Sequence, residues 1–353
     1  MAADIALMIG PGLDARESAM ALGLAHVLET LGLRVVRDAG SAQLHGQGRA
    51  RLSILCSAIK GLDANLRRAE GSTIVLHPLV RNRSELGEWL ARRDRVHGFL
   101  AASHALGERL AAGGAKVEWI GSSCQIGTVR HQSRLARGLR DEDRVFTVCV
   151  DERSPNAASA ALRKTWDRRA RDHATRFAKV SLVVNVTTDR LYADWDAWAR
   201  QSDAASIVVE RSNDDPLALM ALLEMSDAMF VTGAVVLGRE LGEPDSGAGC
   251  ADLWPATHAL FHRKPVIVLG SLPPAAFGLD DPAHLYRVAD ADPRRIDAAV
   301  ARVVAGARED RDAWSAGARQ MMQHASARAT AVRVTEALRS MQLWDAITAG
   351  AGS

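Results

Sequence analysis

Short apolar runs alternate with amphipathic stretches along nearly the whole chain, and this alternation leaves few folds open. The first run, DIALMI at 4–9, stops at Gly10-Pro11-Gly12, as a strand buried on both faces stops at a turn. A helix is predicted next. Asp14 stands as its N-cap with Glu17 three residues on, and Met20, Leu24, Val27, Leu28 and Leu31 recur at spacings of three and four until Gly32 ends it. LRVVR at 33–37, STIVLH at 72–77, HGFLAAS at 97–103 and KVEWIG at 116–121 read as further strands, with helices over Leu86 to Leu90 and Leu106 to Leu110 between them. Strands separated by helices pair in parallel, since a parallel pair needs a crossover and the helix covers a face of the sheet.

Between 122 and 144 the apolar periodicity lapses into a stretch rich in Arg, Ser and Gly, which reads as a linker. A second series follows, with strands predicted at 145–150, 181–186, 206–210, 228–231 and 265–270. Asp215-Pro216 forms an N-cap and first-turn pair opening the helix PLALMALLEMS. The expected architecture is therefore α/β, with two Rossmann-like parallel-sheet domains facing a central cleft. Residues 1–130 form the first domain, 131–335 the second, and 336–353 a closing helix and tail, the last helices returning toward the first domain.

Charge and composition narrow the partners. Forty-four Lys and Arg oppose 42 Asp and Glu, a net charge of +2, so no global field gathers nucleic acid. The basic stretches at Arg92, Arg93 and Arg95 and at Arg163 to Arg171 are local, and the second is interleaved with Asp167 and Asp172 as a solvated helix face is. No stretch reaches the roughly 18 consecutive apolar residues of a membrane-crossing helix. The N-terminus shows no basic leader, and Cys56, Cys124, Cys149 and Cys250 form no paired motif. Both point to the cytoplasm with reduced thiols.

Ligands of open parallel sheets bind beyond the carboxyl ends of the strands, so the residues following each strand are the candidates. Gly10 and Gly12 follow the first strand, where backbone N–H groups can approach a phosphate; the same glycines suit a plain tight turn. His77 ends STIVLH and precedes Pro78, placing an imidazole of near-neutral pKa at a strand end. His97 and His104 read as structural. The segment 232–255, TGAVVLGRELGEPDSGAGCADLWP, is long for a loop inside a domain. Its acids, Glu243 and Asp252 among them, suit sugar hydroxyls, and its glycines, Gly247 and Gly249 among them, suit a diphosphate.

Several pieces resemble the GT-B glycosyltransferases of glycosyltransferase family 4. SDAMFVTG (226–233) is similar to that family's "aDvfvlPS", HALFHRKPVIVLGS (258–271) to its "EAMacGkPVIas", and VADADPRRIDAAVARVV (288–304) to its "dpeaLaeAi" stretch. TIVLHPLVRN (73–82) and the region 95–121 resemble its first-domain motifs. The resemblance implies a GT-B fold and metal-independent transfer, of a hexose above all, with no cofactor and the nucleotide-diphosphate sugar as donor. The implied partners are that donor and a glycan, lipid-linked or protein acceptor; peripheral membrane association and a homo-oligomer stay open.

The chain departs from the family at its E-x7-E motif. Counting back from Lys264-Pro265-Val266, the two glutamates fall on Cys250 and His258. The family's diphosphate-binding Arg and Lys have displaced counterparts in Arg153 and Lys164. The resemblance thus implies His77 near the transferred sugar and Gly10, Gly12, Arg153, Lys164, Glu243, Gly247, Gly249, Asp252 and His258 toward the donor. A non-catalytic GT-B-like binding subunit and a nucleotide-sugar epimerase are the alternatives; the incomplete dinucleotide fingerprint argues against a dehydrogenase.

Overall fold

The computed structural model describes residues 4–10, 13, 15–38, 50–69, 71–76, 80, 83–102, 104–121, 134–150, 156–172, 180–202, 207–211, 215–232, 250–270, 285–288 and 292–349. In chain order they form β1 (Ile5–Ile9), α1 (Ala15–Thr30), β2 (Val35–Asp38), β3 (Leu52–Cys56), α2 (Ile59–Arg68), β4 (Ser72–Leu76), α3 (Arg83–Ala91), β5 (Gly98–Ala101), α4 (His104–Ala112) and β6 (Val117–Trp119). There follow β7 (Arg144–Val150), α5 (Asn156–Asp172), β8 (Val180–Val186), α6 (Asp189–Gln201), β9 (Ile207–Arg211), α7 (Pro216–Met225) and β10 (Ala228–Thr232). The chain closes with α8 (Cys250–Phe261), β11 (Val266–Leu269), β12 (Tyr286–Val288), α9 (Pro293–Ala305), α10 (Arg308–Ala325), α11 (Ala327–Ser340) and α12 (Trp344–Thr348). Two compact units result. Unit one holds Met1–Gln125, Val236–Asp252 and His324–Ser353, and unit two holds Ile126–Val235 and Leu253–Gln323.

Unit one is built on a six-stranded sheet in the order β2-β1-β3-β4-β5-β6, every pair parallel. Its four inner strands are buried on both faces, and the edge strands β2 and β6 are partly exposed. Ile5 and Leu7 join Ile54, Ile74 and Leu100 on the face covered by α1, while Ala6 and Met8 join Leu55, Val75 and Phe99 on the face covered by α2, α3 and α4. The closing helices complete the first face: Val334, Ala337, Leu338 and Ile347 pack into the same cluster as Leu24 and Leu28 of α1. Arg51 donates to the carbonyl of Ile347, and Arg333 to that of Ile120, which ties the chain's last helices to this sheet. Gly71 carries φ +66, and a Cβ there would stand 2.2 Å from the Arg51 carbonyl oxygen, so only glycine fits.

Unit two carries a second six-stranded parallel sheet in the order β12-β11-β10-β7-β8-β9. Its largely aliphatic core holds a group of aromatic rings. Phe146 of β7, Trp166 of α5 and Phe230 of β10 meet with ring centroids 5.7–6.3 Å apart, the two Trp166 contacts edge-on. Asp215 caps α7 as its sequence predicts, its Oδ1 accepting from the N–H groups of Leu217 and Ala218 ahead of Pro216. Two strands have no counterpart in the pattern reading. In β3, LSILC, a serine breaks the run; β12 has three residues, too few for any periodicity.

The basic stretches are paired surfaces. Arg92 and Arg95 both reach Asp63, Arg163 pairs with Asp194, and Arg168 and Arg169 share Asp297. Among the described residues no helix is long and apolar enough to cross a membrane.

Candidate functional site

In a doubly wound sheet, the crevice for a ligand opens at the carboxyl edge where the strand order reverses. Unit two runs β7, β8, β9 outward in one direction and then β10, β11, β12 in the other, so its reversal lies between β7 and β10. Unit one runs from β1 to β2 on one side and to β3 on the other, so its reversal lies between β1 and β3.

Gly10 stands at that first reversal. Its N–H donates to the carbonyl of Cys56 at 2.7 Å, joining the carboxyl ends of β1 and β3. A Cβ at this position would meet Ser57 Cβ at 2.6 Å and Asn65 Nδ2 at 2.8 Å. Close approach therefore requires the glycine. Ser57 and Asn65 are buried, and Ser57 Oγ and Asn65 Nδ2 have no hydrogen-bond partner among the described residues. Buried polar groups of this kind cost about 1–3 kcal/mol each when unpaired, so this corner is primed for a polar partner.

Most of the sequence-predicted residues lie outside the described residues: Gly12, His77, Arg153, Glu243, Gly247 and Gly249. Their chain positions still matter. His77 directly follows Leu76, the last residue of β4; Arg153 follows Val150, the last of β7; and the glycine-rich segment follows Thr232, the last of β10. Asp252 is the third residue of α8. Lys164 is exposed and stands eight residues into α5, about 12 Å along the axis from its start. Thus the structure does not bring Lys164 to the helix terminus that follows β7. His97 is structural: its Nδ1 accepts from the Thr73 N–H at 3.0 Å, and its own N–H donates to the Thr73 carbonyl.

His258 has no exposed surface. It lies in the later half of α8, its ring 5.1 Å from Trp254 and 4.4 Å from His262 one turn on. Glu224 of α7 completes a cluster in which one ligand atom from each of Glu224, His258 and His262 lies within 4.8 Å of the others. Burial above all, and then the nearby His262 and Lys264, hold the His258 imidazole well below its ordinary pKa, hence neutral. The sequence signal for this grouping was the His-x3-His spacing of HALFH, which puts both imidazoles on one helix face. Glu224 carries no such signal.

At the amino-terminal edge of the same sheet there is a cavity of about 360 Å³, lined by Arg144, Asp227, Arg263, Arg311 and Trp314 among others. Residues just before or at the starts of β7, β10 and β11 supply part of its wall, which places it opposite the edge where the strand order favours a nucleotide.

No protein-family model matches the chain, and no curated protein sequence matches it. Solved structures do. HepE from Anabaena, in complex with UDP and glucose, superposes with a TM-score of 0.62 at 10% identity over 96% of this chain and 100% of HepE. A sucrose-phosphate synthase from Thermosynechococcus elongatus gives a TM-score of 0.60 at 11% identity over 96% of this chain and 99% of its own. TarM from S. aureus, a longer protein of which this chain spans about half (55%), gives 0.55 at 8% identity over 81% of this chain. At such identities the likeness speaks for architecture alone. The chain is an α/β protein of two Rossmann-like parallel-sheet units, the fold of the GT-B glycosyltransferases.

Proposed function

We propose that this chain is a glycosyltransferase that moves a sugar, a hexose above all, from a nucleotide-diphosphate sugar to a glycan, lipid-linked or protein acceptor without a metal in the transfer step. The observation that carries the reading is the pair of strand-order reversals in a GT-B fold, with the glycine-rich and basic segments following the strands that border them. HepE, similar over almost the whole chain, is a protein with UDP and glucose bound. In this reading the nucleotide diphosphate lies beyond β7 and β10. As the sugar leaves, the diphosphate gains negative charge, so a fixed cation and backbone donors at that edge lower the barrier. Arg153 is the cation closest in sequence to the end of β7; Lys164, farther along α5, adds long-range charge only. Gly247 and Gly249 let the backbone approach the phosphates, Glu243 and Asp252 accept from hydroxyls, and His77 serves the transferred sugar or the acceptor proton. Gly10, Gly12 and the Ser57–Asn65 corner take a polar group of donor or acceptor.

A panel of UDP-, GDP-, TDP- and CMP-sugars in thermal-shift assays tests the reading, because a ligand bound only by the folded chain raises its melting temperature. One nucleotide class should stabilise, and Arg153→Ala should abolish the shift. Stabilisation by none of them refutes the reading. The carboxylate positions of E-x7-E, held by Cys250 and a fully buried His258, favour a second reading, a GT-B-like subunit that binds a nucleotide sugar without transfer. Release of nucleotide diphosphate in the presence of glycan acceptors separates the two.

A further inference from the structure

We propose that Glu224, His258 and His262 form a binding site for a divalent transition-metal ion of the zinc class, at the amino-terminal half of unit two's sheet and independent of the proposed transfer site. The geometry points there first. Glu224 lies in the last turn of α7 shortly before β10 begins, and His262 follows α8 shortly before β11 begins, so both stand at the edge of the sheet opposite the nucleotide edge. Their ligand atoms and that of His258 already lie within 4.8 Å of one another, and a tetrahedral zinc with bonds of about 2.1 Å needs them about 3.4 Å apart. Metal binding therefore requires the three side chains to draw closer together.

The second observation is independent of the spacing. His258 has no exposed surface, yet neither Nδ1 nor Nε2 has a hydrogen-bond partner among the described residues. A buried imidazole with two unpartnered nitrogens is costly, and coordination through one nitrogen relieves that nitrogen's share of the cost. Two histidines one helical turn apart with a carboxylate from a neighbouring helix are a donor set that suits zinc and its neighbours, and too nitrogen-rich for magnesium or calcium. Glu224 is buried, and its charge offsets the cation. His262 is half-buried, which leaves a solvent-side position for a fourth ligand such as water. Lys264 is the opposing charge: its ammonium donates to the carbonyl oxygens of Leu223 and Glu224, and a metal must bind against it.

The test uses the whole chain, stripped with a chelator and then titrated with Zn²⁺ or Co²⁺ alone. The expected result is uptake of about one ion per chain that survives desalting, with the visible absorption bands of low-symmetry Co²⁺. His262→Ala and Glu224→Gln, shown to be folded by circular dichroism, should each weaken Co²⁺ binding by more than the roughly 10–100-fold typical for loss of an outer-shell partner. If the wild-type chain retains no Zn²⁺ or Co²⁺, the proposal fails. It fails equally if both folded variants bind with wild-type affinity, since the ion then sits on other histidines.

Discussion

Arg134, near the start of unit two, is a buried side chain whose removal should be costly. It is 2% exposed, and its guanidinium donates from Nε and Nη2 to the Met225 carbonyl, from Nη1 to the carbonyls of Arg140, Asp141 and Asp143, and from Nη2 to Asp227 at 2.7 Å. Asp227 is itself largely buried and also accepts from the Val145 N–H. Arg134→Met keeps much of the volume but leaves a buried carboxylate without its cation and several carbonyls without donors. Breaking a buried pair from one side typically costs about 3–5 kcal/mol, and the carbonyls keep the estimate at the upper end. Urea unfolding, followed by tryptophan fluorescence and by circular dichroism, measures it. Arg134→Lys should recover less than half, because a compact ammonium cannot span acceptors on both sides. Arg134→Met with Asp227→Asn should be less damaging than Arg134→Met alone, since the uncompensated charge is gone. A loss below about 1 kcal/mol for Arg134→Met, or a double variant worse than the single one, would show that the Arg134–Asp227 pair contributes no more than an exposed ion pair does.

Other substitutions probe the backbone, the aromatic core and the histidines. Gly71→Ala forces a Cβ to 2.2 Å from the Arg51 carbonyl at φ +66 and should cost more than about 2 kcal/mol, read as a lowered melting temperature. Trp166→Ala should cost about 3–5 kcal/mol in the same assay, whereas Trp166→Phe, which keeps an aromatic ring against Phe146 and Phe230, should cost about 1.5 kcal/mol or less. Because burial holds the His258 pKa below its ordinary 6.5, the unfolded chain takes up a proton on acidification before the folded one does. In chelator, stability should therefore fall as pH drops below about 6.5, by up to about 1.4 kcal/mol per unit from this residue. His258→Phe should flatten the melting-temperature profile there, and an unchanged slope would show that His258 is not the source. His77→Asn should lower transfer about 10²–10⁴-fold if His77 is a general base or positioned donor, while a structural role would lower the melting temperature instead.

The strands of both sheets were legible where a run is apolar on both faces. IALMI, STIVL, SLVVNV and PVIVL read as parallel strands because neither face meets water, and the structure buries them so. β3 was not read, and with it went the corner at Gly10: Ser57 and Asn65 come to that glycine only through the pairing of β1 with β3, a long-range event that no local pattern encodes. Motif counting put His258 at a donor-side glutamate, yet counting along a helix cannot show that the ring lies in the core against Trp254. Glu224 was silent for the same reason, since its partners stand on the next helix.

α7 shows what holds that region in place. The helix is apolar on nearly every side and its residues Leu219 to Met225 are all buried, apart from the partly exposed Ala221, so its carboxyl end cannot rely on water for its unpaired carbonyls, whereas its amino end is exposed. At the start, Pro216 brings no N–H, and Asp215 accepts from Leu217 and Ala218 through its side chain and from Leu219 through its carbonyl. At the end, the last four carbonyls are met one by one: Leu222 by the Ser226 hydroxyl, Leu223 and Glu224 by Lys264, and Met225 by Arg134. Two of these three donors are cations at a helix C-terminus, the end where the helix dipole favours positive charge. They come from the segment before β7 and the turn before β11. The helix therefore stops at Met225 with no glycine cap, Ser226 turns extended, and β10 starts two residues later in register with β7 and β11. Loss of Arg134 or Lys264 should therefore leave carbonyls of the buried carboxyl end of α7 without donors, at the same turn that carries Glu224.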